Sequence, residues 1–350
     1  HTISGTVGVA GVSVAYTGGT PVTSGVGGAY SITVPYNWTG TVTPSLVGYT
    51  FSPTSRTYPP VQADQTNQDY TPTQIEYTLT IVTAHGTVTK SPNQPTYHYG
   101  DLVQLTADPD LGYTFIGWSG SISGTANPIT LTITGNMSVT ANYTQDQYTL
   151  TVVSAHGTIT RVPDKATYLY NEIVQISVVA DPGWTFVNWS GDATGSSNPV
   201  TVTITGNTTV TANFTQNEYT LSIISVNGSV TKDPDLATYH YGDVVTLTAI
   251  PAPGYQFDGW TGAVTSLENP IDITIQGNTT ITANFSQAHY TLDVTSLHGT
   301  VSKSPDQATY LYNTQVELTA TADAGWTFAS WSGGVTGTTN PITVTILGNT

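Results

Sequence analysis

A 71-residue period constrains this chain more than any other feature. Shifted against itself by that length, the sequence brings four segments into register without an insertion, beginning at Tyr77, Tyr148, Tyr219 and Tyr290. Each opens Tyr-Thr-Leu and places a tryptophan 41 residues on, at Trp118, Trp189, Trp260 and Trp331. A repeated unit must be the folded unit, so the 350 residues are read as an array and not as one large core.

Within the first copy the apolar residues alternate: Leu79 and Ile81, Tyr97 and Tyr99, Val103 and Leu105, Ile129 to Ile133, Val139 to Tyr143. A period of two belongs to half-buried strands. Turn formers separate them, among them His85-Gly86, Ser91-Pro92, Gly100-Asp101, Asn127-Pro128 and Gly135-Asn136. Six short strands per copy and no helix are expected. The fold class is all-β: a linear array of small antiparallel β modules, one β-sandwich plus four 71-residue repeats. The boundaries are 1–76, 77–147, 148–218, 219–289 and 290–350. At roughly 28 Å per module, five in line would span on the order of 140 Å.

The first 72 residues lie outside the period. Strands are expected at Ile3 to Val7, Val12 to Tyr16, Tyr30 to Val34 and Gly40 to Pro44, with turns at Gly18-Gly19 and Gly27-Gly28. This segment, with Ala29 to Pro35 and Gly48-Tyr49-Thr50-Phe51, resembles carboxypeptidase-regulatory-like or prealbumin-like modules of exported bacterial proteins. It has no lysine, so the Lys–Asn isopeptide bond of related adhesin domains is excluded.

The repeat itself carries Tyr97-x-Tyr99-Gly100-Asp101-x-Val103 and Gly112-Tyr113-x-Phe115-x-Gly117-Trp118-Ser119-Gly120. Asn127-Pro128 and a closing Val139-Thr140-Ala141-Asn142-Tyr143 follow. This pattern resembles the divergent internalin-type B-repeat family of bacterial surface proteins, across residues 77 to 350. The resemblance implies stalk-like extracellular spacers, some of β-grasp type, with no chemistry of their own.

Side chains able to do chemistry do not keep their places. His85, His156 and His298 are equivalent, but the third copy has Asn227. A general base or ligand does not survive that exchange, whereas a hairpin residue before glycine does, since His and Asn both tolerate left-handed backbone. His98 and His240 alternate with Leu169 and Leu311, and the acidic position of the Gly-Asp turn reads as Asp101, Asn171, Asp243 and Asn313. Neither a metal site nor a pair of glycosidase carboxylates can be built in every copy. Asp108-Pro109-Asp110 lacks the Gly and Glu of a calcium loop. No Gly-x-Ser-x-Gly or phosphate-binding glycine loop is present, and cysteine is absent. The expectation is a non-enzymatic chain without cofactor. Tyr113, Phe115 and Trp118 could form a sugar platform, but core packing is the stronger reading.

Charge points the same way. Six basic against 22 acidic residues give a net charge of −16, which repels nucleic acid and anionic membranes, and no apolar run is long enough for a membrane helix. The chain begins at His1, which suggests a processed or partial product exported to the cell surface or beyond. Nine Asn-x-Ser/Thr sequons mark candidate N-glycosylation sites: Asn37, Asn136, Asn142, Asn188, Asn207, Asn213, Asn227, Asn278 and Asn284. The fourth copy stops at Asn349-Thr350, about ten residues short of the closing strand of the others. Either the sequence continues, or another subunit supplies the strand, with Thr2 to Val7 as the obvious donor. The reading is therefore a structural subunit of an extracellular filament or surface stalk, its partner another copy of itself. An adhesin or carbohydrate-binding surface protein is the alternative.

Overall fold

The computed structural model describes residues 1–350. The chain packs as two compact units, His1–Leu150 with Asp164–Val174 and Val202–Thr208, and Thr151–Pro163 with Gln175–Thr201 and Thr209–Thr350. It is all-β; the one helical turn is a 3₁₀ segment at Val26–Gly28, where Gly27 and Gly28 take positive φ.

In the first unit, the N-terminal module contains β1 (Thr2–Thr6), β2 (Ser13–Tyr16), β3 (Val22–Thr23), β4 (Ala29–Thr33), β5 (Trp38–Ser45), β6 (Tyr49–Ser52), β7 (Arg56–Val61) and β8 (Thr71–Gln74). A sheet β1-β4 faces a sheet β3-β2-β5-β7 across one core, while β6 pairs with β8. The alternation that predicts strands also predicts their faces: Tyr30 and Ile32 of β4 point inward, and the residues flanking them point out. The four expected strands are observed. The four that were not expected are β3, β6, β7 and β8, which are short or contain Pro59, Pro60 and Pro72.

The first repeat follows with β9 (Leu79–Thr83), β10 (Gly86–Ser91), β11 (Leu102–Pro109), β12 (Tyr113–Gly120), β13 (Ile129–Thr132) and β14 (Met137–Gln145). Two three-stranded sheets, β10-β11-β13 and β12-β14-β9, enclose Leu79, Tyr97, Val103, Leu105, Trp118, Ile133 and Val139. The strand count of six is as expected, but the membership differs. Tyr97 contributes only an isolated bridge to Tyr77, while β10 and β12 carry polar or bulged sequence that hides their period.

Antiparallel pairing holds for every ladder of this module but one. β9, which opens the repeat, lies parallel to β14, which closes it, with Leu79 opposite Met137 and Thr83 opposite Ala141. The third repeat, in the second unit, reproduces this register, Leu221–Ser225 lying parallel to Thr279–Ala283. The closing strand is thus the middle strand of its sheet. In the fourth copy residues 291–296 and 326–330 form no strand, and Thr350 exchanges backbone hydrogen bonds with Thr291 and Asp293.

The N-terminal core has its own pH limit. Tyr30, Tyr58 and Tyr70 donate their hydroxyl protons to Gln68 O, Gln68 Oε1 and Val42 O at 2.7, 3.0 and 3.0 Å. Burial raises all three above 10.0, Tyr70 to about 12, with the neighbouring phenols adding to the rise at Tyr30 and Tyr70. A raised folded-state value means stability is complete below pH 10.0 and is lost as pH climbs toward about 12. An alkaline titration followed by tyrosinate absorbance and circular dichroism should show ionisation and unfolding of this module together in that window. Tyr70→Phe should reduce the steepness of the loss.

Candidate functional site

The recurrent polar and aromatic residues serve the backbone. Trp118, Trp189 and Trp260 are buried, and each indole Nε1–H donates to a loop carbonyl eight residues on, Ala126, Ser197 and Glu268, at 2.8 to 2.9 Å. Phe115, Phe186 and Phe257 pack against them with ring centroids 5.0, 4.9 and 5.2 Å apart. The tryptophans are core, and the phenylalanines pack on them half-buried. The asparagine of each Asn-Pro pair replaces a missing strand neighbour. Asn127 accepts from Ala107 N–H at 2.9 Å and donates to Ala107 O at 2.8 Å, as Asn269 does with Ala249.

The histidines divide. His85 and Asn227 hold the expected left-handed backbone, with φ of 70° and 67°. His156 and His298 sit at the same bend before glycine without it, so the left-handed backbone expected there is corrected for those two copies while the bend remains. Their rings instead lie flat on Trp184 and Trp326 at centroid separations of 3.5 and 3.6 Å, and His85 stacks on Tyr113 at 4.3 Å. What all four positions share is a carbonyl that accepts the N–H of Asp110, Asp181, Ala252 or Asp323. No three His, Asp or Glu side chains converge on one point.

The Gly-Asp turn also needs correction. Asn171 and Asn313 stand in the place of Gly100 and Gly242, because that position requires positive φ: 91° for both glycines, 63° and 65° for the asparagines. The true counterpart of Asp101 is Glu172. Asp101 Oδ2 accepts from His98 N–H at 2.8 Å, and Glu172 Oε2 accepts from Leu169 N–H at 3.0 Å.

Six of the nine sequons fall into two geometric groups. Asn136, Asn207 and Asn278 are exposed, and each Oδ1 receives both the N–H and the Oγ1–H of the threonine that begins its repeat: Thr78, Thr149 or Thr220. Asn142, Asn213 and Asn284 are half-buried opposite the bulge in the Trp strand, and each Nδ2 donates twice. Asn142 bonds Gly117 O and Ser119 Oγ at 3.1 and 3.0 Å, Asn213 bonds Asn188 Oδ1 and Ser190 Oγ, and Asn284 bonds Gly259 O and Thr261 Oγ1. Asn37 and Asn227 sit in left-handed turns, and Asn188 is the acceptor for Asn213.

The feature that sequence reasoning missed is a joint. Gly48, Gly112, Gly183 and Gly254 take φ of 81° to 85°, and the second tyrosine of the following module packs on each: Tyr99, Tyr170, Tyr241 and Tyr312. A Cβ on any of these glycines would collide with the tyrosine. The same glycine carbonyls accept the N–H of the connecting residues Ile75, Asp146, Asn217 and Ala288, all at 2.8 Å. Those connectors then pair with the next module, Tyr77 with Tyr97, Tyr148 with Tyr168, Tyr219 with Tyr239 and Tyr290 with Tyr310. In each Tyr-x-Tyr motif the first ring therefore enters its own core and the second reaches back. Both residues were visible in the period; that they meet was not, because they belong to different copies. The equivalent face of Gly325 has no neighbour within 4 Å.

The divergent InlB B-repeat domain model matches residues 77–147, 148–218, 219–289 and 290–350. The chain belongs to that family. No curated protein matches it. Among solved structures, the TIE protein of Bacillus anthracis aligns over 79% of this chain and 67% of its own, at 11% identity and a TM-score of 0.40. At that score the likeness carries no further weight. No helix is long and apolar enough to cross a membrane.

Gly183→Ala tests the joint. Left-handed backbone costs an alanine about 1–2 kcal/mol, and the collision with Tyr241 adds to this. Limited proteolysis should then cut the connector at residues 216–218 faster than in the unmodified chain, while the Trp260 fluorescence of the third repeat stays native.

Proposed function

We propose that this chain is the spacer of a cell-surface protein, its working units being residues 1–76 and the four matched repeats. The observation that carries the reading is the pattern of what recurs. The buried tryptophan, the asparagine clamps and the Gly–Tyr joint return in register, while histidines and carboxylates change identity from copy to copy. A series of sites for catalysis would hold the reverse. A series of spacers needs identical cores and identical joints, and leaves outer side chains free to vary.

Filament growth by donation of the first strand has less support. Thr2–Thr6 is already paired with Ala29–Thr33, and Ile3 lies fully buried in its own core. Donation would first have to take that strand out.

Of the two recurring groups, Asn136, Asn207 and Asn278 suit added glycans better, since their exposed amides donate no hydrogen bond within the fold. At Asn142, Asn213 and Asn284 a glycan would displace one of two Nδ2–H bonds at a bulge. Intact mass and peptide mapping of protein from its native source should place any added hexose on the first group; modification confined to the second group would refute this assignment.

The spacer reading is tested on intact cells. Brief protease treatment should release repeat fragments cut at the connectors, and antibody to the repeats should label the unbroken surface. Protection from protease until lysis would defeat the reading. Specific retention of the purified chain on a glycan surface would favour the adhesin.

A further inference from the structure

We propose that each of the first three repeats is a mechanical clamp, loaded in shear when the chain is pulled from its ends. This rests on the spacer role only for its biological purpose; the mechanics follow from topology.

The chain enters a repeat at the start of its first strand and leaves beyond the end of its last, and these strands are parallel neighbours. In the first repeat Leu79–Thr83 lies against Met137–Ala141, and in the third Leu221–Ser225 lies against Thr279–Ala283. Tension on the two ends draws the strands past each other along their length. Every bond of the ladder then bears load at once, whereas an antiparallel hairpin pulled by its two ends opens one pair at a time from its open end.

Two features reinforce the ladder. At its loaded start, Thr78 gives both its N–H and its Oγ1–H to Asn136 Oδ1, and Met137 N–H returns a bond to Thr78 O at 2.9 Å. The third repeat builds the same three bonds from Thr220, Asn278 and Thr279. Leu79, Val139 and Ala141 close one face of the ladder to water, which hinders exchange of its bonds for solvent from that side.

The joints between modules are built differently. Their connectors are held by one glycine carbonyl, the tyrosine seated on that glycine, a bridge of one or two residue pairs and a few scattered bonds such as Gln145 Nε2–H to Tyr170 O, with no long ladder, so they yield piecemeal. Under rising tension the joints yield first and the repeats afterwards. Resistance to force is a rate property set by the unfolding barrier, so it need not follow equilibrium stability.

The chain has no cysteine, so introduced pairs serve as unique handles in the full-length protein. Glu76→Cys with Gln147→Cys pulls the first repeat in shear. Glu76→Cys with Ser138→Cys pulls the same strand pair from adjacent ends, in peeling geometry, and all three positions are exposed. Single-molecule force spectroscopy should give a rupture force several-fold higher for the first pair, with both variants keeping the denaturation midpoint of the parent. Equal forces, or a higher force in peeling, would overturn the proposal.

The unmodified chain held by its termini is a second measurement that needs no substitution. Repeats one to three should appear as equal steps of roughly 210 Å, about 3.4 Å for each of the 71 residues less the roughly 27 Å that the strand pair already spans. Smooth extension at low force without such steps would also overturn it. Neither experiment depends on cellular location, so a chain found inside the cell would refute the spacer reading and leave the clamp standing.

Discussion

The ladder between the opening and closing strands of each repeat is the interaction on which the rest of the module depends. A parallel pair cannot be joined by a tight turn and needs a long crossover. Here the crossover is everything else in the repeat, of which β10, β11 and β13 form the opposing sheet and β12 returns to pair with the closing strand, completing the core. The closing strand stands between the opening strand and the Trp strand, so two edges wait on one segment. In the fourth copy the Gly299–Ser304, Gln315–Ala322 and Ile342–Thr345 ladders form the same opposing sheet.

This arrangement gives the asparagines their meaning. The one at the start of the closing strand fastens the first threonine, and the one in its middle satisfies the bulge in the Trp strand. The asparagine before proline supplies an absent backbone partner to Ala107 or its counterpart. Each replaces a hydrogen bond that regular pairing cannot provide at that point, and a buried amide left unpaired costs about 1–3 kcal/mol. Six of the nine sequons are by-products of this economy, since the strands that follow these asparagines are rich in threonine and serine.

The period of 71, the tryptophan and the alternating strands were enough to read an all-β array and its family from sequence. They could not give the parallel pair, because hydrophobic alternation is the same in either orientation. They misled at Asp101 for a local reason: Gly-Asp and Asn-Glu do the same two jobs, positive φ and a carboxylate cap, in residues of different types, so matching by identity slipped one place. At His156 and His298 the turn reading rested on tolerance of left-handed backbone, and the stacking on Trp184 and Trp326 needs a partner far away in sequence. The Gly–Tyr joint was out of reach for the same reason, Tyr99 having read as part of a strand and Gly112 as part of the repeat's own pattern.

That joint and the clamp together explain why a module of this size can recur without a linker. A 71-residue unit buries a small core and gains from contact with its neighbour. A glycine that bonds the connector through its carbonyl and seats the next tyrosine on its bare Cα provides that contact with two residues from different copies. Because the contact needs nothing from the outer faces, selection on those faces is free to remove or add charge without disturbing either core or joint. The scatter of histidine and carboxylate among the copies is the expected consequence of that separation, and it is why the absence of aligned chemistry and the presence of an aligned joint are one fact about the chain.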